Sequence, residues 1–206
     1  MCGLARTLSG WLKAEEVLKI EVIVHTLAKA YGRIQIEVAA GKLTVPSPNR
    51  FRYGVVALGG TFDVFHRGHE QLVSKAFELG RSVIIGVTSD AFVRKQGKNH
   101  PVQAYASRVR ALRRFLDEKG WLTRSIIVPL RDPYGPTARR RDVEALVITP
   151  DTASSALKLN RLRANKGLGC LKIHRVPLSN AEDGKPISST RIRRGQINRQ
   201  GRLVKA

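Results

Sequence analysis

The stretch VVALGGTFDVFHRGHEQLVSKAFELG, residues 55–80, decides how the rest of the chain is read. It begins as a short apolar run rich in valine, the pattern of a strand buried on both faces. It ends with Leu72, Val73, Ala76, Phe77 and Leu79 at helical spacing, and Gly80 is predicted as the C-cap. Between the two lie Gly59, Gly60 and Gly68 and two of the chain's five histidines, His66 and His69. A strand that hands over to a helix through such a turn can serve a metal, a phosphate or plain packing.

The metal reading fails on its partners. HEQLV begins like HExxH but has Val73 where the second histidine belongs, and no Cys or carboxylate cluster nearby completes a zinc set. A Walker loop needs Lys and Ser/Thr after its last glycine, whereas Gly68 is followed by His69 and Glu70. GxGxxG is absent. Phosphate chemistry carried by imidazoles remains. Gly59 and Gly60 let backbone N–H groups approach an anion, and Gly68 clears room for a flat group such as a nucleobase. His69 falls near a helix N-terminus, where it can donate to a phosphoryl oxygen as charge builds.

Outward from this turn, apolar runs alternate with helical patterns. Strands are predicted at 53–58, 82–89, 125–130, 145–150 and 171–178, and helices at 104–120, 152–167 and 187–195. The alternation predicts an α/β fold, a Rossmann-like doubly wound, mainly parallel sheet with helices on both faces. Ligands of such sheets bind beyond the carboxyl ends of the strands, where the turn at 59–68 stands. Residues 90–103 carry no predicted element and read as a basic loop, a candidate lid. Before the sheet, 11–30 is predicted as an amphipathic helix, 33–45 as a strand or hairpin and 46–50 as a linker. The expected organisation is an extension over 1–50, a catalytic domain over 53–197 and a basic tail over 198–206. The extension is expected either to pack on the domain or to belong to an overextended reading of the gene.

ISSTRIRRG, residues 187–195, offers a second anion site. Ser188, Ser189 and Thr190 stand at a predicted helix start beside Arg191. One hydroxyl there is an ordinary N-cap; three with adjacent arginines also suit a triphosphate.

GTFDVFHRGH resembles the HxGH signature of the nucleotidyltransferase superfamily related to class I aminoacyl-tRNA synthetases. With ISSTRIR in the expected order, and GGTFD after an apolar strand, the chain looks most like the archaeal-type phosphopantetheine adenylyltransferases. The resemblance covers about 55–197. It implies transfer of the adenylyl group of ATP to 4′-phosphopantetheine, giving dephospho-CoA and pyrophosphate, with Mg²⁺ accompanying the ATP. His69 and His66 are then expected to be catalytic, joined by Lys95 or Lys98. Gly59, Gly60, Thr61, Phe62, Gly68, Ser188, Ser189, Thr190 and Arg191 are expected to bind ATP. In ALVITPDTASSALKLNRLRANKGL (145–168) the resemblance points to Thr149, Asn160 and Arg163 as acceptor-binding. Thr-Pro-Asp-Thr at 149–152 departs from the family's usual Ser-Glu-Glu-Thr.

The formal net charge of +21 suits phosphorylated small molecules as well as nucleic acid. Binding of nucleic acid is the rival reading from another class, and nicotinamide mononucleotide or FMN the rival acceptors. No apolar run has the length of a membrane span, and Cys2 and Cys170 form no CxxC pair, so a cytoplasmic protein is expected.

Overall fold

The computed structural model describes residues 51–97 and 101–204, and before them the backbone of two short strands. The chain divides into two units, Met1–Arg50 and Phe51–Ala206. In the first, Glu37–Ala39 (β1) and Lys42–Thr44 (β2) pair antiparallel, Val38 opposite Leu43, within the predicted hairpin. The helix predicted over 11–30 and the linker at 46–50 lie outside the described residues.

The second unit is built on five strands, Tyr53–Gly60 (β3), Gly80–Thr88 (β4), Ser125–Leu130 (β5), Ala145–Ile148 (β6) and Lys172–Arg175 (β7). Every neighbouring pair is parallel, in the order β5-β4-β3-β6-β7. The helices are Arg67–Leu79 (α1), Asp90–Lys95 (α2), Tyr105–Glu118 (α3), Ala153–Ala164 (α4) and Ser189–Arg193 (α5). The expected doubly wound parallel sheet is present.

Strand alternation sorts the side chains to two faces. Val56, Leu58, Val83 and Ile85 meet Val73 and Phe77 of α1 and Leu112 and Leu116 of α3. Ala57 and Ile84 point the other way, into a smaller core with Leu159 of α4, Ala138 and Val143. The chain lays β3, β4 and β5 outward in one direction, then returns to start β6 against the free edge of β3. That reversal opens a crevice beyond the carboxyl ends of β3 and β6.

Two local expectations change. Gly80 is the C-cap of α1, its N–H donating to Ala76 O, but with φ −112° it is extended rather than left-handed and already opens β4. A Cβ there would lie 2.6 Å from Val56 Cγ2, so glycine is needed for close packing against β3. Arg124 adds donors at this end, to Phe77 O at 2.9 Å and to Gly80 O at 2.7 Å. The predicted loop at 90–103 begins with α2. Ser89 caps it by accepting from Phe92 N at 3.1 Å, with Asp90 in its first turn and Arg94 and Lys95 in its last.

Candidate active site

The turn after β3 is held in an unfavourable backbone conformation. Phe62 has φ +54° and Val64 φ +45°, a region that costs a β-branched residue of order 1–3 kcal/mol. Two neighbours impose it. Gln103 donates its N–H to Asp63 Oδ1 at 2.9 Å, while its Oε1 accepts from Val64 N at 2.9 Å. Arg108 of α3, fully buried, donates through Nη1 to Thr61 O and Thr88 O, both at 2.8 Å. It also donates through Nε to Gln103 O at 2.7 Å and through Nη2 to Asp90 Oδ1 at 2.8 Å. One guanidinium thus ties the ends of β3 and β4, the start of α2 and the segment before α3.

The turn delivers two imidazoles to the start of α1. His66 is the N-cap: its Nδ1 accepts from Gly68 N at 3.1 Å, which places its proton on Nε2. The His66 and His69 rings stack with centroids 3.9 Å apart, and His69 also packs on Phe62 and Phe65. Burial lowers the His66 pKa to about 4, against a smaller opposing pull from Asp63. Burial, with His66 beside it, lowers that of His69 to about 3. Both rings are neutral near pH 7. His69 Nδ1 is buried without a hydrogen-bond partner among the described residues.

Asp63 joins this turn to the second motif. Its carboxylate pairs with Arg193 of α5, and its carbonyl accepts from Ser189 Oγ at 2.5 Å. Ser188 caps α5 by accepting from Arg191 N at 3.3 Å. The two stretches 59–69 and 188–193, far apart in sequence, are therefore in direct contact.

Beside them, on the sheet face covered by α4, lies a cavity of about 600 Å³. Gly59, Gly60 and Thr61 form part of its lining at the ends of the strands. Ile84, Val128, Leu146 and Leu159 line it lower down and make it apolar. The histidines do not line this space; they stand on the same turn, toward the α1 side.

Several expected ligand residues are engaged elsewhere. The Phe62 side chain is wholly buried in the α1/α3 core. The flat group lying against Gly68 is the His66 ring, whose Cε1 would be 3.1 Å from a Cβ there. Arg191 is held by Asp183 at 2.6 Å and by the carbonyls of Lys185 and Pro186, so it braces the loop before α5. Asn160 donates to Leu171 O at 3.1 Å and accepts from Leu171 N at 2.9 Å, fixing the approach to β7. Arg163 is 1% exposed and donates to the carbonyls of Gly169, Thr137 and Arg140 at 2.6–2.9 Å. It is not a solvated helix residue: its donors are spent on backbone carbonyls. Thr149 is half-buried just past β6, its carbonyl accepting from Thr152 N and Oγ1. Lys95 is exposed at the end of α2, and Lys98 lies outside the described residues.

Asp63, Gln103 and Arg108 were not singled out from sequence, and Arg193 was read only as one of the arginines beside the second motif, not as the partner of Asp63. Arg108 left a trace: it shares the α3 face of Leu112, Phe115 and Leu116, where a charge is out of place. Gln103 left none.

The resemblance implies Mg²⁺. Among the described residues no group of three or more His, Cys, Asp or Glu could hold a metal ion, and the Asp63 carboxylate is taken by Arg193 and Gln103. These side chains do not form a metal site, and no step below passes through one. Nor, among the described residues, is any helix long and apolar enough to cross a membrane.

The chain is similar to known proteins. A family model described as cytidylyltransferase-like matches residues 57–195. A phosphopantetheine adenylyltransferase of Methanopyrus kandleri is 47% identical over 147 residues, 71% of this chain and 92% of its own. One from Methanosarcina barkeri is 46% identical over 153 residues, covering 73% and 92%. Among solved structures, a protein described as of unknown function from Archaeoglobus fulgidus aligns with a TM-score of 0.53 at 38% identity, covering 59% of this chain and 87% of its own. The chain belongs to the cytidylyltransferase-like family and, within it, to the archaeal-type phosphopantetheine adenylyltransferases.

Proposed function

We propose that the protein transfers the adenylyl group of ATP to 4′-phosphopantetheine, a step of coenzyme A biosynthesis. An oxygen of the acceptor phosphate forms a bond to the α-phosphorus as the bond to the bridging oxygen of the β-phosphate breaks. Dephospho-CoA and pyrophosphate result. The attacking phosphate is already anionic, so the reaction asks for positioning and charge stabilisation rather than a base. Two imidazoles that stay neutral at pH 7 suit that demand, since each offers one N–H. His69 is the proposed donor to the transition state, with His66 and Thr61 on the phosphates.

One observation carries the choice of acceptor. The phosphate-facing turn opens onto a cavity that is apolar below its mouth, which fits a substrate with a phosphate at one end and a long, mostly uncharged arm. Ser188, Ser189 and Thr190 are proposed to meet the ATP phosphates; Ser189 is already linked to the turn through Asp63. Phe92 and Gln96 of the α2 region line the cavity, so Lys95 is carried on an element bordering it. Lys95 or Lys98 is the proposed bridge between the two substrates' phosphates. Mg²⁺ is proposed to arrive with ATP, held by phosphate oxygens and water. The setting proposed is cytoplasmic.

Pyrophosphate release with ATP, offering 4′-phosphopantetheine, nicotinamide mononucleotide and FMN in parallel, tests the reading. Release with the first acceptor is expected. Release only with one of the others, or with none, overturns the acceptor assigned.

A further inference from the structure

Leu130, the last residue of β5, lies in a cradle of three glycines. A Cβ at Gly86 would be 2.7 Å from its Cδ2, one at Gly59 3.2 Å from its Cδ1 and one at Gly135 2.3 Å from its Cδ2. Gly59 and Gly86 face each other across β3 and β4, while Gly135 opens the short helical turn Gly135–Ala138 and has φ +52°. The Leu130 side chain therefore packs directly on glycines of the sheet and of that turn, where a Cβ at Gly86 or Gly135 would overlap it and one at Gly59 would crowd it. It is 8% exposed and forms part of the cavity lining. In register Leu130 lies beside Thr88 at the carboxyl end of β4; its side chain reaches back over Gly59 and Gly86, one residue below Gly60 and two above Ile84, while Val128 shares the Gly86 rung. Leu130 thus stands at the neck between the phosphate end and the apolar floor.

We propose that Leu130 is a specificity-determining residue that sets the width of acceptor admitted immediately behind its phosphate. The proposal rests on 4′-phosphopantetheine as the acceptor. In that molecule the phosphate-bearing CH₂ is followed at once by a carbon with two methyl groups. The widest part of the arm therefore sits within about one strand residue, roughly 3.3 Å, of the phosphate. A side chain locked from three sides cannot swing aside, so the neck has a fixed bore. Acceptors broader at this carbon are excluded, whereas bulk added at the far thiol end does not meet Leu130.

The experiment compares kcat/KM for 4′-phosphopantetheine, its analogue with two ethyl groups in place of the two methyls, and its S-propyl thioether. Wild type, Leu130→Ala and the gentler Leu130→Val are used. Wild type is expected to disfavour the diethyl analogue by roughly 10–200-fold, the range for added methylenes in an apolar pocket. Leu130→Ala is expected to narrow that ratio about tenfold or more, and Leu130→Val to narrow it in the same direction. The S-propyl ratio is expected to stay put. A diethyl ratio unchanged in both variants overturns the proposal, and so does a shift confined to the S-propyl compound. A ratio taken within one variant is independent of how much of it folds. Failure of wild type to use 4′-phosphopantetheine at all overturns the acceptor reading, a result distinct from an unmoved ratio in an active enzyme.

Discussion

Replacing Arg108 by methionine removes one buried guanidinium and strands the groups it serves. Methionine is similar in length and apolar, so the packing of α3 on Leu112 and Phe115 is largely kept. Three carbonyls lose a donor: Thr61 O, Thr88 O and Gln103 O, held at 2.7–2.8 Å. A buried acceptor left unpaired costs about 1–3 kcal/mol. The Asp90 carboxylate also loses its ion pair, but it keeps the Tyr105 N–H and its side chain is 45% exposed and rehydrates, so it adds little. Some water will reach the carbonyls at the strand ends, which brings the total to about 3–5 kcal/mol, in line with breaking a buried pair. For a unit of this size that is a fall in Tm of roughly 6–20 °C. Turnover is expected to fall as well at temperatures where the variant is still folded, because Thr61 and the strained Phe62 and Val64 lose their brace. Arg108→Lys keeps the charge but not the fork, and is expected to recover less than half of the loss. Thermal unfolding followed by circular dichroism, with turnover measured well below the new midpoint, is the assay. A Tm within 2 °C of wild type would refute the reasoning, because the three carbonyls would then have found other donors at no cost.

Other substitutions separate chemistry from scaffolding. His69→Ala is expected to cost about 2–4 kcal/mol of transition-state stabilisation, as for loss of one oxyanion donor; unchanged turnover would remove His69 from the mechanism. Arg163→Met is expected to lower stability by about 3–5 kcal/mol in denaturant titrations while leaving KM for the acceptor in place. A raised KM without loss of stability would return Arg163 to the acceptor site. Acid is expected to destabilise the fold early. The unfolded chain binds protons at His66 and His69 near pH 6.5, whereas the folded chain refuses them until about 4 and about 3. Unfolding therefore takes up protons, and stability falls as pH drops from about 6.5 toward 4, by up to ~1.4 kcal/mol per pH unit for each histidine. Urea midpoints at pH 7.5, 6 and 5 should fall less steeply in the His66→Gln/His69→Gln double variant; equal slopes would dissociate the acid loss from this pair.

The middle of the sheet was legible because β4 and the core of β3 are buried on both faces, which leaves apolar runs such as VIIGV at 83–87 that few other environments tolerate. The two motifs were legible because glycines, histidines and hydroxyls are costly or unusual where they stand unless something uses them. Acceptor residues were the harder part. Asn160 and Arg163 are as polar as a ligand would need to be, but their partners are backbone groups of distant loops, and nothing local distinguishes such a partner from a substrate. Phe62 shows the converse: a residue inside a functional motif can be there for the core alone. Leu130 escaped notice because its meaning lies in Gly59, Gly86 and Gly135, which meet only once three strands and a turn are assembled.

Arg108 and Arg163 share one device on opposite faces of the sheet. Each is almost wholly buried, each leaves a helix, and each feeds carbonyls of segments near the strand ends or the loops that join them. A doubly wound sheet needs this at its functional edge. There the chain leaves regular pairing, the carbonyls at the ends of β3 and β4 have no next strand residue to bond, and a ligand cavity keeps helices from closing over them. Arginine reaches several such carbonyls at once, because its donors fan out from a single rigid plane. Part of the net charge of +21 is therefore internal, bonded to backbone oxygen, and gives no reason to expect a nucleic-acid partner. Arg191 and Arg193 extend the pattern to the second motif, where Asp183 and Asp63 hold them. Positive charge at this edge serves first to fix the loops, through the backbone oxygens and carboxylates that these arginines hold.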